Sequence, residues 1–270
     1  MDSKVIVGVA HLPARHNFFF KKVLPKLQGM ADQVWVYTDG PSPDLVKHGP
    51  LGTGISECPH QSVGDAGKFF GYERALDQYG DFYYLSCDDD LIYPVDYAEK
   101  MIEWIDFFEK KGVVSLHGAT FSSFPVDSFY RRKQTIPCLG EFPAAQRVLF
   151  PGTGALGFHS SLLRINVAEH FPARNMADIW FGRLLQMQKA PAVVLPHSKD
   201  YLTYDTSLPI ADTIWGQESP RDFLQTAVVN QISLSQSLEF FPLSWPDQPL
   251  PDPFGDLSEP IPEPSPDQQG

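Results

Sequence analysis

Hydrophobic residues along this chain fall in short blocks whose spacing alternates between two patterns. Val5 to Ala10 is an unbroken apolar, largely β-branched run, the mark of a strand covered on both faces. It breaks at His11–Arg15. Residues 16–29 then carry Phe18, Phe19, Val23, Leu24 and Leu27 at helical spacing, and Gly29 closes the pattern. Val34–Tyr37 predicts a second strand, running directly into Thr38, Asp39 and Gly40. Strand, helix, strand is a βαβ unit, which implies a parallel sheet with right-handed crossovers.

The same alternation continues. Lys68–Tyr79 predicts a helix on Phe69, Phe70, Ala75 and Leu76, and Phe82–Ser86 a third strand. Tyr97–Lys110 is helical, with Ile102, Ile105 and Phe108 on one side and charges opposite. Val113–Leu116 predicts a fourth strand. The pattern weakens over 119–148, a stretch holding Arg131, Arg132, Lys133 and Arg147, read here as a solvated loop. Val148–Phe150 precedes Gly152, Thr153 and Gly154; Ala177–Gln188 is a helix and Val193–Leu195 a last short strand. The expected fold class is α/β, a mainly parallel sheet flanked by helices, over residues 1–241.

From Pro242 the composition changes: residues 242–270 hold nine of the 25 prolines and six acids, with no Lys, Arg or His. Such a segment cannot bury a core and reads as an extended or disordered tail. It carries half of the net charge of −12, which leaves an ordinary −6 for residues 1–241. Without a basic block there is no electrostatic footprint for nucleic acid. The 270 residues are 43% hydrophobic with 20 phenylalanines, enough for a large aromatic core. Cys58, Cys87 and Cys138 show no metal-type pairing, and Cys87 should pack as a small hydrophobe. No apolar run approaches the roughly 20 residues that span a bilayer, and the N-terminal run is too short for a signal peptide. A reducing cytoplasm is the expected compartment.

The third strand ends in Asp88, Asp89 and Asp90. Three carboxylates within about 7 Å of chain repel one another and resist burial unless a cation repays the cost. A hard divalent ion, Mg²⁺ or Mn²⁺, would do so; a solvated turn or helix cap is the alternative. In open α/β sheets ligands bind at carboxyl ends of strands, where Ala10–Arg15, Asp39 and Asp88–Asp90 all fall. Lys68, at a helix start after a Gly-rich approach, can meet phosphate oxygens or remain a surface charge. Asp178 opens an apolar helix, as a dipole-favoured acid or as a general base with Trp180 for stacking. His197, just past the last strand, can complete a metal shell, contact phosphate or be structural. The glycine spacing matches neither a P-loop nor a dinucleotide fingerprint.

Strand, Asp39, Gly64–Lys68, then strand and Asp88–Tyr97 together resemble nucleotide-sugar glycosyltransferases of the A-type fold, family-2-like. The stretch from Asp88 stands where that family carries its Asp-x-Asp motif, and the likeness covers roughly residues 4–200. It implies a single Rossmann-like domain with a donor half over about 1–115 and an acceptor half over about 116–241. It implies hexosyl transfer, inverting if Asp178 is the base, from a nucleoside-diphosphate sugar, UDP-linked, to a hydroxyl of a glycan or glycoconjugate, as in polysaccharide synthesis. Donor-binding residues would be Ala10, Arg15, Asp39, Lys68, Asp88 and Asp89. Asp90, Asp88 and His197 would hold the divalent cation, Asp178 would be the base, and Gly152, Thr153, Gly154 and Trp180 would face the acceptor. Peripheral contact with a membrane fits the same reading. Two departures stand out: Ala177 replaces one acid of the usual pair, and no Arg-rich motif lies near His197. A sugar-1-phosphate nucleotidyltransferase would need a Gly-rich loop after the first strand, and His11–Arg15 has no glycine. A non-catalytic sugar-binding protein on the same fold is the alternative of another class.

Overall fold

The computed structural model describes residues 3–38, 55–57, 63–204, 216, 218–245 and 250–251. Eight strands form the main sheet, in the order Ile55–Glu57, Gln33–Thr38, Lys4–His11, Phe82–Asp88, Ala155–His159, Val113–Ser115, Ala192–Val194, Gln146–Arg147. The first four run parallel, as the βαβ pattern predicts. Ala155–His159 lies antiparallel between Phe82–Asp88 and Val113–Ser115. The sequence pattern did not assign this strand. Gly157 interrupts its apolar run because Leu85 fills the space a side chain would need: a Cβ there would sit 2.8 Å from Leu85 Cδ2.

Period-two alternation sorts the buried residues onto two faces of the sheet. Ile6, Phe82 and Tyr84 join one core with Phe69, Tyr72 and Phe158. Val7, Val9, Tyr83, Leu85 and Cys87 point into the other, with Trp104 and Phe108. Aromatic stacking dominates the first: Phe69 lies 5.0 Å from Phe171 and 5.1 Å from Phe181, ring to ring. Burial raises the pKa of the Cys87 thiol, consistent with a packed, inert group.

The helix expected over 16–29 forms in pieces: His16–Phe18, a π turn over Phe19–Val23, and Leu24–Met30. Pro25 has no N–H to donate, and the ladder widens just before it, Leu24 N–H reaching back to Phe19 O. Lys68 belongs to a 3₁₀ segment, Gly64–Phe69, that precedes the helix Phe70–Gln78. Tyr97–Phe107 and Ala177–Gln188 form as the pattern predicts. Among the described residues no helix is long and apolar enough to cross a membrane.

Two C-terminal features depart from the sequence reading. Phe223–Ser235 is a helix without a single charge. Its Asn230 side chain accepts from Val126 N–H (2.8 Å) and donates to Val126 O (2.7 Å), pinning the segment after Thr120. The boundary at Pro242 also moves. Leu243 is buried, Arg147 Nη2 donates to its carbonyl at 3.0 Å, and Trp245 sits edge-on to Phe108 at 5.4 Å. Residues 242–245 therefore belong to the packed body. The rest of the expected tail, apart from 250–251, lies outside the described residues.

A Leu243→Ala variant should lower the stability of the folded body by about 2 kcal/mol, seen as an earlier midpoint in urea unfolding. An unchanged midpoint would mean that this segment contributes nothing to the core.

Candidate active site

Strand register assembles the site. Ala10 pairs with Asp88 on the neighbouring parallel strand, which sets His11 beside Asp89. Ala155 pairs with Cys87 on the other side, which brings Gly154 against Asp88. All of these lie at the carboxyl ends of the parallel strands, where open α/β sheets bind ligands. A cleft of about 880 Å³ opens there, lined by Ala10, Arg15, Lys68, Asp88–Asp90, Gly152–Gly154 and Asp178, among others.

The three aspartates have separate fates. Asp88 is paired with Lys68, whose ammonium is buried. Burial pulls the Lys68 pKa down, but Asp88 and Asp65 raise it more, so it stays charged. Asp88 N–H donates to Tyr93 Oη (2.7 Å), and Tyr93 Oη donates to Gly154 O. A side chain at position 154 would place its Cβ 2.0 Å from Asp88 Oδ2, so glycine is needed for this approach.

Asp89 is buried and fully engaged. Its Oδ2 lies 3.1 Å from His11 Nδ1 and accepts from Leu12 N–H at 2.7 Å, while Oδ1 accepts from Arg15 Nη1 at 2.7 Å. Burial alone would raise its pKa, but these partners hold it below the usual carboxylate value. Asp89 thus positions the His11–Arg15 loop; with a side chain only 3% exposed it has no free oxygen edge for a donor, contrary to the role expected for it. Asp90 Oδ2 meets the same Arg15 Nη1 at 2.9 Å. Burial, with the charges of Asp88 and Asp89, raises its carboxyl to about 7 in spite of Arg15.

Asp178 also lines the cleft, and its Oδ1 accepts from both the N–H and the hydroxyl of Thr153, each at 2.8 Å. Its Oδ2 makes no hydrogen bond with the described residues. Asp178 opens the helix Ala177–Gln188, whose first N–H, that of Ala177, donates to Asp65 Oδ2 at 3.1 Å. Asp65 Oδ1 is buried without a hydrogen-bond partner among the described residues. Burial raises the Asp65 carboxyl to about 6, Lys68 opposing and Asp178 adding to the shift.

Most of the residues singled out from the sequence converge on this cleft: Ala10, Arg15, Lys68, Asp88, Asp89, Asp90, Gly152, Thr153, Gly154 and Asp178. Two do not. Trp180, expected to stack on an acceptor, is 7% exposed inside the first core, with Arg183 over its ring at 5.5 Å. His197, expected as a metal ligand, is buried: Nδ1 lies 2.8 Å from Leu195 O and Nε2 3.2 Å from Pro137 O. Neither nitrogen is available to an ion. Asp39 lies outside the described residues. Sequence reasoning missed His11, Asp65, Tyr93, His117 and Lys133. Lys133, placed in the solvated loop, lines the cleft with its ammonium 4.9 Å from the centre of the Phe129 ring and 4.6 Å from that of Tyr130; burial lowers its pKa.

The ligand set expected for a divalent cation does not come together. Asp88 is committed to Lys68, Asp90 to Arg15, and His197 to the core. Among the described residues no three His, Cys, Asp or Glu side chains converge as a metal ion requires.

No protein-family model matches the chain, and no curated protein matches it. Solved structures do. S. aureus TarS is 15% identical, with a TM-score of 0.52, over 88% of this chain and 41% of TarS. TarS 1–349 in complex with UDP is 15% identical, with a TM-score of 0.51, over 87% of this chain and 67% of that one. The same fragment with UDP-GlcNAc is 14% identical, with a TM-score of 0.50, over 88% and 68%. This chain thus spans less than half of full-length TarS. At such identities the likeness speaks for the fold alone: the chain has the mixed α/β architecture seen in TarS, the fold class expected from the sequence.

The Asp65 shift has a definite sign. A carboxyl raised in the folded state stabilises below its unfolded value, and that contribution is lost as pH rises through the folded one. Between about pH 4 and 6 the wild type should therefore lose on the order of 2 kcal/mol relative to Asp65→Asn. Urea unfolding of both proteins at pH 4.5 and 7 checks this; a difference that does not change with pH would contradict it.

Proposed function

We infer that the chain transfers a glycosyl group from a nucleoside-diphosphate sugar, UDP-linked, to a hydroxyl of a glycan or glycoconjugate. The observation that carries this reading is one cleft with two chemically distinct sides. The side formed by Arg15, Lys68 and the aspartates suits a diphosphate, and Asp178 on the other suits an alcohol. The UDP and UDP-GlcNAc complexes of TarS support the choice of donor.

In this reading the bond between the anomeric carbon and the β-phosphate oxygen breaks, and its electron pair leaves with the diphosphate. The acceptor oxygen forms the new bond from the opposite face and gives its proton to Asp178 Oδ2. Thr153 holds Oδ1 with two hydrogen bonds, so the second oxygen is presented in a fixed orientation. Lys68 and Arg15 meet the charge that grows on the leaving group. Asp88, with a side chain 39% exposed, is the aspartate open to the donor's ribose, and Asp39 is assigned to the base. Residues up to about 115 form the donor half and those from about 116 the acceptor half. No step of this reading is routed through the divalent ion foreseen from the sequence, since Asp88 is paired with Lys68 and Asp90 with Arg15.

Release of nucleoside diphosphate from a panel of nucleotide sugars, with mono- and oligosaccharide acceptors, should find a working pair. With that pair, Asp178→Asn should cut transfer by about 10²- to 10⁴-fold while nucleotide binding stays unchanged. Full activity in Asp178→Asn would remove the base from the mechanism. No turnover by the wild type across the panel would favour a sugar-binding protein.

A further inference from the structure

We propose that Arg15 takes the place of the divalent cation in this cleft, so that the donor diphosphate binds without a metal. The inference rests on the nucleotide-sugar reading above.

Three observations support it. Each carboxylate of the trio already has a cation: Lys68 on Asp88, Arg15 on Asp90, and Arg15 again on Asp89. A metal ion joining Asp88 and Asp90 would have to expel, or bind against, a buried ammonium and a guanidinium whose side chain is only 10% exposed. Stranding such charges costs several kcal/mol each, which a solvated ion would have to repay. Second, Arg15 is locked. Its Nη1 approaches both Asp89 and Asp90, and Asp89 is itself fixed by Leu12 N–H and His11. Third, the guanidinium is not used up. Among the described residues only its Nη1 is hydrogen-bonded, and Arg15 lines the cleft. A guanidinium offers five N–H donors in a rigid fork that matches phosphate oxygens. The unused donors of Arg15, with the nearby Lys68, form a preorganised site for a diphosphate.

Arg15 then does what a metal would do at the departing β-phosphate oxygen. As the glycosidic bond breaks, the electron pair settles on that oxygen and the N–H donors of Arg15 meet the new charge. No proton leaves Arg15, because burial is outweighed by Asp89 and Asp90 and its pKa stays above the ordinary value.

The test is thermal stabilisation of the full chain by UDP, GDP, CDP, ADP and dTDP, in EDTA and separately in Mn²⁺. At least one nucleotide should raise Tm equally in both. Arg15→Gln should weaken the EDTA affinity by about 10-fold or more, and it should acquire a shift that needs Mn²⁺, because Asp90 is released. Arg15→Lys, which keeps a charge on Asp89, guards against a folding defect and should retain part of the metal-free binding. A wild-type shift seen only with Mn²⁺ would overturn the proposal and leave the donor reading standing. The proposal would likewise fall if wild-type protein alone bound Mn²⁺ in electron paramagnetic resonance and Asp90→Asn abolished the binding. No shift by any nucleotide in either condition would sink both.

Discussion

The structure turns on keeping three adjacent carboxylates at the end of a buried strand. Desolvating one carboxylate costs several kcal/mol, and three side by side add mutual repulsion. The chain meets that cost with its own cations. Lys68 comes from a 3₁₀ turn and Arg15 from the segment after the first strand. The two arrive by different connections, so the ion pairs bind together segments far apart in sequence. Sheet register and the close approach of Gly154 bring these groups within bonding distance.

The network also divides labour. Asp89, the most enclosed, acts on the protein by fixing Arg15 and the backbone of Leu12. Asp88, the most exposed, remains in contact with the cleft. Asp178 belongs to a separate unit, in which Thr153 and the N-terminus of its helix set its orientation. A transferase needs such separation, since the leaving group calls for positive charge and the nucleophile for a base. Asp65 links the two sides. It accepts from the helix that carries Asp178, and it lies close enough to Lys68 for their charges to interact.

Much of this was legible in the sequence because it rests on local pattern. The β-branched runs marked the parallel strands, and the Asp88–Asp90 run after an apolar strand marked the site. Other features depended on distant pairings. The role of Asp89 follows from the register between two strands more than seventy residues apart. Ala155–His159 was hidden because Gly157 yields its volume to Leu85. Trp180 and His197 illustrate a different limit. A helix-borne aromatic or a histidine after a strand looks the same in sequence whether it faces a cleft or the core. The helix Phe223–Ser235 has apolar residues on several sides and no charged face, so its periodicity gave no amphipathic signal.

The central claim is that protein cations, chiefly Arg15, occupy the place of a metal ion. A crystal grown with UDP and Mn²⁺, with diffraction recorded near the manganese absorption edge, tests this most directly. The account predicts UDP in the cleft with a phosphate oxygen on the Arg15 guanidinium, and no anomalous peak between Asp88 and Asp90. A manganese peak bridging those two carboxylates and the diphosphate, with Arg15 swung away, would contradict it.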